Sequence, residues 1–202
     1  QYPLRQMKME ISELPEFFRV RQSYPRPALC DIAGRVQSEL AGRCNEDFRG
    51  RSVAITVGSR GIQNLPTIVR ASVDFFHQRN GIPFIVPAMG SHGGGTAEGQ
   101  LSLLAGMGIN QSSMGCEIRS SMDVVEVCQA AEGFPVYFDR LASQADHVLV
   151  LNRVKPHTRF TGQIESGLMK MMLIGLGKQA GAEVYHRAIV NFSFDQIVRS
   201  VA

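Results

Sequence analysis

Short apolar segments alternate with amphipathic ones along most of this chain. The runs SVAITV from Ser52, IPFIVPAM from Ile82 and HVLVL from His147 are strand-sized and bounded by polar turns, which is typical of buried strands. Between the first two runs, Pro66 opens a segment of helical periodicity that extends to His77, and proline is favoured in the first turn of a helix. Alternating strands and helices predict an α/β domain with a largely parallel, Rossmann-like sheet flanked by helices.

The remaining elements are predicted from weaker patterns. MDVVEVC and FPVYFD are candidate strands and LASQA is a short helix; longer helices are expected at Ala28–Leu40, from Thr96 or Ala97 to Gly106 or Gly108, at roughly 165–176, and at 192–201. We expect one domain over residues 1–202, in which 1–50 is weakly patterned and 51–202 carries the chemistry. The helical pattern reaches Ala202 without a capping residue, which indicates one lobe of a larger protein.

Composition excludes several classes of protein. A net charge of +3 with interspersed signs is too small for nucleic-acid binding, although small anionic ligands remain compatible with it. Four scattered cysteines outside any CxxC motif indicate neither a zinc knuckle nor a disulfide framework, so we expect a reducing compartment. With no apolar run long enough to span a membrane and no signal-peptide pattern, the sequence predicts a cytoplasmic protein without membrane contact.

Three polar loops follow the predicted strands, at Gly58–Asn64, Gly90–Thr96 and Asn152–Gly162. Ligands of parallel α/β sheets bind at the carboxyl ends of the strands, so we expect the three loops to share one crevice. The second loop reads GSHGGG, and its Gly93, Gly94 and Gly95 amides beside a helix N-terminus are suited to a phosphate or carboxylate. A tight turn that requires positive φ explains the same glycines equally well. His92, flanked by small residues, is expected to face a ligand.

Three further residues are candidates for chemistry. His157 lies in a cationic loop that favours a neutral imidazole, with an unperturbed pKa of about 6.5, and neutral imidazole is a competent proton acceptor; the alternative is a solvated basic loop. Lys170 stands among methionines, where it is either desolvated and reactive or a snorkelling surface lysine. His186 is either a ligand or a partly buried helix histidine. The other histidines, His77 and His147, are interpreted as structural.

Together these residues resemble a known family. The run SGLMKMMLIGLGKQAGAEVYH is similar to the Gly/Ser-Gly-x-x-Lys segment of nickel-dependent lactate racemases, whose metal-binding histidine lies sixteen residues beyond the lysine, a spacing that Lys170 and His186 keep. Arg60, His92 and His157 occur upstream in the family's order, so the resemblance covers roughly residues 51–202. The family's Asp-x-Thr-Arg-Pro signature is replaced here by GSRG, and the interval between His157 and Lys170 is longer.

The resemblance implies a nickel-pincer nucleotide, a nicotinate-derived cofactor that holds nickel through carbon and sulfur. It implies that His186 ligates the nickel, that Lys170 contacts or is covalently joined to the cofactor, and that His92 and His157 act as acid and base. Arg60 would hold the carboxylate of a 2-hydroxy acid, whose α-hydrogen leaves and returns as hydride during racemisation or epimerisation. It also implies cofactor-biosynthesis proteins as partners and a C-terminal lobe absent from this chain.

Two other functions remain open on the sequence. A divalent-metal hydrolase with zinc bound by His92, His157 and His186 is one, although zinc does not explain the lysine spacing. A non-catalytic phosphate- or nucleotide-binding module built on the GSHGGG loop is the other.

Overall fold

The computed structural model describes residues 17–25, 27–59, 61–156 and 162–202. The chain divides into two compact units, residues 1–30 and 31–202. The described part of the first unit contains no helix or strand, and Phe17 and Phe18 in it are exposed. All the described sheets and helices therefore belong to the second unit.

The second unit alternates strands with helices. Its helices are α1 (Ile32–Ala41), α2 (Leu65–His77), α3 (Ala97–Gly106), α4 (Gln111–Met114), α5 (Arg140–Ser143), α6 (Leu168–Lys170), α7 (Lys178–Ala188) and α8 (Phe194–Val201). Its strands are β1 (Ser52–Val57), β2 (Ile82–Pro87), β3 (Glu117–Ile118), β4 (Val124–Gln129), β5 (Pro135–Asp139) and β6 (His147–Val150). A 3-10 turn covers Gly93–Gly95, and a π-helix covers Met171–Leu176. None of the described helices has the length and apolar character needed to cross a membrane.

Four of the strands form one parallel sheet in the order β3-β2-β1-β6. At its centre Ile55 pairs with Ile85 on one side and with Leu149 on the other. β1 is buried at every position from Val53 to Val57, because a central strand of such a sheet is covered on both faces. The predicted α/β fold with a largely parallel sheet is confirmed.

The segments MDVVEVC and FPVYFD lie outside that sheet. They form β4 and β5, which pair with each other as an antiparallel two-stranded sheet. The connection between them, residues 130–134, is too short for the crossover that parallel strands require, so a hairpin is the available solution.

The C-terminal helices differ most from the sequence prediction. The helix expected at 165–176 is a short α6 followed by the π-helix, and a separate, unpredicted α7 begins at Lys178. Lys178 has a left-handed backbone, with φ of 55°, and its side chain is fully buried. Its Nζ lies 2.7 Å from Oδ2 of Asp139 and 2.5 Å from the carbonyl oxygen of Pro87. This lysine therefore ties the start of α7 to the carboxyl ends of β2 and β5.

Candidate active site

A cavity of about 140 Å³ opens at the carboxyl ends of three strands of the parallel sheet. The loop after β1 contributes Gly58, Ser59, Gly61 and Ile62; the residues after β2 contribute Ala88, Met89 and His92; those after β6 contribute Asn152, Arg153 and Lys155. The prediction that these three loops share one crevice is confirmed for the described residues. The topology causes this, because neighbouring parallel strands end at the same edge of a sheet.

The opposite wall of the cavity comes from the segment that contains the π-helix. Ser166, Lys170, Met171, Ile174 and Gly175 line this side. The π-helix packs closely on the end of β2, since a Cβ on Gly175 would lie only 2.8 Å from the carbonyl oxygen of Ala88. Single π-helical turns occur frequently at functional sites, where the altered register changes which side chains face a ligand.

The described charged residues that line the cavity are all of one sign. Arg153, Lys155 and Lys170 line it, and none of the described lining residues is Asp or Glu. Cationic side chains around a small, partly enclosed space attract anions, and arginine in particular binds carboxylates through paired hydrogen bonds. The cavity is therefore suited to a small anionic ligand such as a carboxylate or a phosphate.

Hydrogen bonds attach the cationic loop to the opposite wall. The Asn152 side-chain amide donates to the carbonyl oxygen of Gly167 at 2.8 Å. The backbone N–H of Lys155 donates to Oγ of Ser166 at 2.8 Å, and the hydroxyl of Ser166 donates to the Lys155 carbonyl oxygen. These contacts hold the loop after β6 against the residues that begin α6.

His92 lies at the cavity on the loop after β2, as the sequence predicts, and its side chain is open to solvent. Its Nδ1 is hydrogen-bonded to the hydroxyl of Ser59 on the loop after β1. Behind the loop, Gln100 of α3 is completely buried, and its amide donates to the carbonyl oxygens of Gly90 at 2.9 Å and of His92 at 3.3 Å. Both the ring and the backbone of His92 are therefore anchored.

Neither Ser59 nor Gln100 was among the sequence candidates. Ser59 could have been found from its place two residues after the end of β1, at the edge of the sheet where ligands bind. Gln100 carries the weaker signal of a polar residue on the inward face of a helix, where a buried amide needs partners.

The three glycines after His92 form the 3-10 turn before α3. Gly93, Gly94 and Gly95 have φ of 68°, 68° and 66°, which side chains rarely adopt. A Cβ on Gly93 would also lie 2.6 Å from the backbone carbon of Gly99. Backbone geometry thus accounts for these glycines, and they are not among the residues that line the cavity. Their predicted contact with a cofactor phosphate stays a prediction.

Lys170 and His186 flank one aromatic cluster. Lys170 lines the cavity, and its Nζ lies 5.9 Å from the ring centroid of Phe194. The Phe194 ring packs edge-on against Tyr185 at 5.9 Å, and the Tyr185 ring lies 5.3 Å from the imidazole of His186. His186 is exposed on α7 and is not among the described residues that line the cavity. Burial raises the pKa of Tyr185 to about 12, so this cluster carries no charge of its own.

Two sequence candidates, Arg60 and His157, lie outside the described residues, and their roles stay predictions. Among residues 17–25, 27–59, 61–156 and 162–202, no three His, Cys, Asp or Glu side chains come together to hold a metal ion. The resemblance implies a single protein histidine on the nickel, so this finding does not test the implied cofactor. Lys170 lines the cavity, whereas His186 contacts Tyr185 and is not among the described lining residues, so the metal contact implied for His186 stays a prediction.

Comparison with known proteins identifies the region that holds these residues. The model of the lactate racemase N-terminal domain matches residues 59–195, more than half of the chain. The matched region begins at Ser59 and includes His92, Lys170 and His186. No curated protein matches the chain.

Proposed function

This chain belongs to the lactate racemase N-terminal domain family, and we propose on that premise that it is the catalytic lobe of a racemase or epimerase of a 2-hydroxy acid. The observation that carries the proposal is the cavity at the strand ends, where His92, Lys170 and a cationic loop meet and no described lining residue is acidic. Racemisation of a 2-hydroxy acid requires a cation that binds its carboxylate and a base that accepts its hydroxyl proton.

The proposed cofactor is the nickel-pincer nucleotide, which supplies, when bound, a centre that accepts hydride from the α-carbon of the substrate and returns it. Lys170 would hold the cofactor at the cavity wall, by an ion pair or a covalent bond. His186 would ligate the nickel, since neutral imidazole is a suitable ligand for Ni²⁺. Lys170 lies near the ring of Phe194, His186 contacts the ring of Tyr185, and the two aromatic rings pack against each other.

The proposed roles of the remaining residues follow from the substrate's chemistry. Arg60, assisted by Arg153 and Lys155, would bind the carboxylate and orient the α-carbon. His92 would accept the hydroxyl proton when the substrate presents one face. His157 would do so for the other enantiomer, because inversion requires an acid/base group on each side.

The proposal includes two kinds of partner. Proteins of cofactor biosynthesis would make and deliver the nickel-pincer nucleotide, and a C-terminal lobe would complete the closed active site. The four described cysteines are all free, which supports the proposed cytoplasmic location.

The test is elemental analysis of protein purified from a host that makes the pincer cofactor. We expect near-stoichiometric nickel in the parent chain and its loss in His186→Ala, whereas Arg187→Ala, the neighbouring exposed change on α7, should retain nickel. Nickel-loaded protein that includes the proposed C-terminal lobe should then interconvert the enantiomers of a 2-hydroxy acid, and His92→Gln should abolish turnover.

Two outcomes would overturn the proposal. Stoichiometric zinc in place of nickel would indicate a metal-dependent hydrolase. Binding of inorganic phosphate without any metal, unchanged in His186→Ala and His92→Gln, would indicate a non-catalytic phosphate-binding module.

A further inference from the structure

The hydrogen bond between Ser59 and His92 determines which ring nitrogen of His92 is available to a ligand. Ser59 lies two residues after Val57, the last residue of β1, and contacts the imidazole of His92 on the loop after β2. Because Nδ1 is bonded to the Ser59 hydroxyl, Nε2 is the nitrogen left for a molecule in the cavity. A neutral imidazole has one proton for its two nitrogens, so the direction of this bond decides whether Nε2 accepts or donates.

The charge of the cavity favours one direction. A hydroxyl group can donate to Nδ1 or accept from it. If it donated, Nε2 would carry the proton and present its positive N–H dipole to a cavity lined by Arg153 and Lys155. If it accepts, Nε2 presents its lone pair to the same cations, which is the more favourable arrangement.

We infer that Ser59 is a positioning residue that holds neutral His92 in the Nδ1–H tautomer, so that Nε2 is the proton acceptor of the site. This inference rests on the proposed function for its catalytic meaning, since it names the atom of His92 that receives the hydroxyl proton. The bond itself is a property of the chain without cofactor or substrate.

The proton balance of the step is simple with this tautomer. When Nε2 takes the hydroxyl proton, the ring becomes an imidazolium whose Nδ1–H still donates to Ser59. When Nε2 gives the proton back, the same tautomer returns and the ring does not rotate. A carboxylate at the Ser59 position would add a negative charge beside the substrate carboxylate, whereas a hydroxyl adds none.

Gln100 supports this arrangement from the backbone side. Its completely buried amide donates to the carbonyl oxygens of Gly90 and His92, so the loop that carries the imidazole is fixed independently of Ser59. Removal of the Ser59 hydroxyl should therefore change the tautomer of His92 while the loop stays in place.

The experiment is nitrogen NMR of the chain labelled with ¹⁵N-histidine, without cofactor, at a pH at which the imidazole is neutral. The His92 signals are assigned by their absence in His92→Gln. We expect the parent to show a protonated Nδ1 and an unprotonated Nε2. In Ser59→Ala the Nδ1–H form loses its acceptor while Arg153 and Lys155 remain, so the signals should shift part of the way toward the Nε2–H form that free histidine prefers, and Ser59→Thr should restore the parent pattern because it keeps the hydroxyl.

Ser112→Ala, an exposed serine outside the cavity, is the matched control and should leave the His92 signals unchanged. A protonated Nε2 in the parent, or identical spectra for parent and Ser59→Ala, would overturn the inference. Ser59→Cys, which keeps the shape of the side chain with a much weaker hydrogen-bonding group, gives a second reading should the alanine variant fold poorly. This measurement depends on neither nickel nor turnover. A failure of the proposed function would therefore appear in the nickel and turnover assays, and a failure of this inference in the NMR spectra.

Discussion

Replacing Lys178 with methionine should destabilise the fold strongly, because it leaves a buried carboxylate without its cation. The side chains of Lys178 and Asp139 are 0% and 1% exposed, and Nζ lies 2.7 Å from Oδ2. The other carboxylate oxygen, Oδ1, accepts from the backbone N–H of Ala142 at the start of α5. Methionine fills a similar volume, so the substitution removes the charge and the hydrogen bond to the Pro87 carbonyl oxygen without opening a large cavity.

The magnitude follows from the burial of the pair. Breaking a buried ion pair by removing one partner costs about 3–5 kcal/mol, because the remaining charge is uncompensated. Replacing both members with neutral groups is often nearly neutral, so Lys178→Met combined with Asp139→Asn should recover most of the loss and keep an oxygen for the α5 cap.

Urea unfolding at neutral pH measures these differences. The expected order of stability, from highest to lowest, is parent, the double variant, and then Lys178→Met. Arg199→Met, which breaks the exposed ion pair with Asp195, is the control and should cost far less than Lys178→Met. The reasoning would be refuted by equal losses in the single and double variants, or by a loss under about 1 kcal/mol in Lys178→Met.

Three further outcomes are expected. The backbone N–H and hydroxyl of Ser52 lower the pKa of Asp146 to about 2. The ionised carboxylate therefore stabilises the fold fully above about pH 4, and this contribution is lost as the pH falls through about 2. Urea unfolding should show Asp146→Asn less stable than the parent at neutral pH, and the difference should vanish as the pH falls below about 2. Burial raises the pKa of the Cys116 thiol to about 11, so mass spectrometry after iodoacetamide treatment at about pH 8 should find the exposed Cys30 and Cys128 modified before Cys116. Gly175→Ala should lower the thermal midpoint, because its methyl would meet a backbone carbonyl at 2.8 Å.

The strands and the ligand-binding edge were predictable because they rest on local periodicity. β1, β2 and β6 are continuous apolar runs, and parallel topology alone brings the loops that follow them together. The hairpin of β4 and β5 was missed as a separate sheet, since two apolar runs do not specify their own pairing. Their short connection, residues 130–134, was the available signal.

The segment that contains the π-helix and α7 could not be predicted from pattern. Lys178 is the reason, because lysine is almost always exposed and a buried one is justified only by partners distant in sequence. Those partners, Asp139 and the Pro87 carbonyl, come from two other strands. The helix break at Lys178 and the register of the π-helix before it therefore depend on tertiary contacts. Lys170 was identified by its spacing to His186, which does not require knowing that register.

The GSRG segment places a neutral residue, Ser59, beside His92. The groups that anchor His92 are neutral, a hydroxyl from Ser59 and an amide from Gln100, whereas the charged groups of the wall are cations. An aspartate beside His92 would compete with a bound carboxylate for Arg153 and Lys155 and would repel that carboxylate. Because Ser59 and Gln100 are neutral, Arg153 and Lys155 remain available to an anionic ligand, and the imidazole of His92 is still held by the hydrogen bond at its Nδ1.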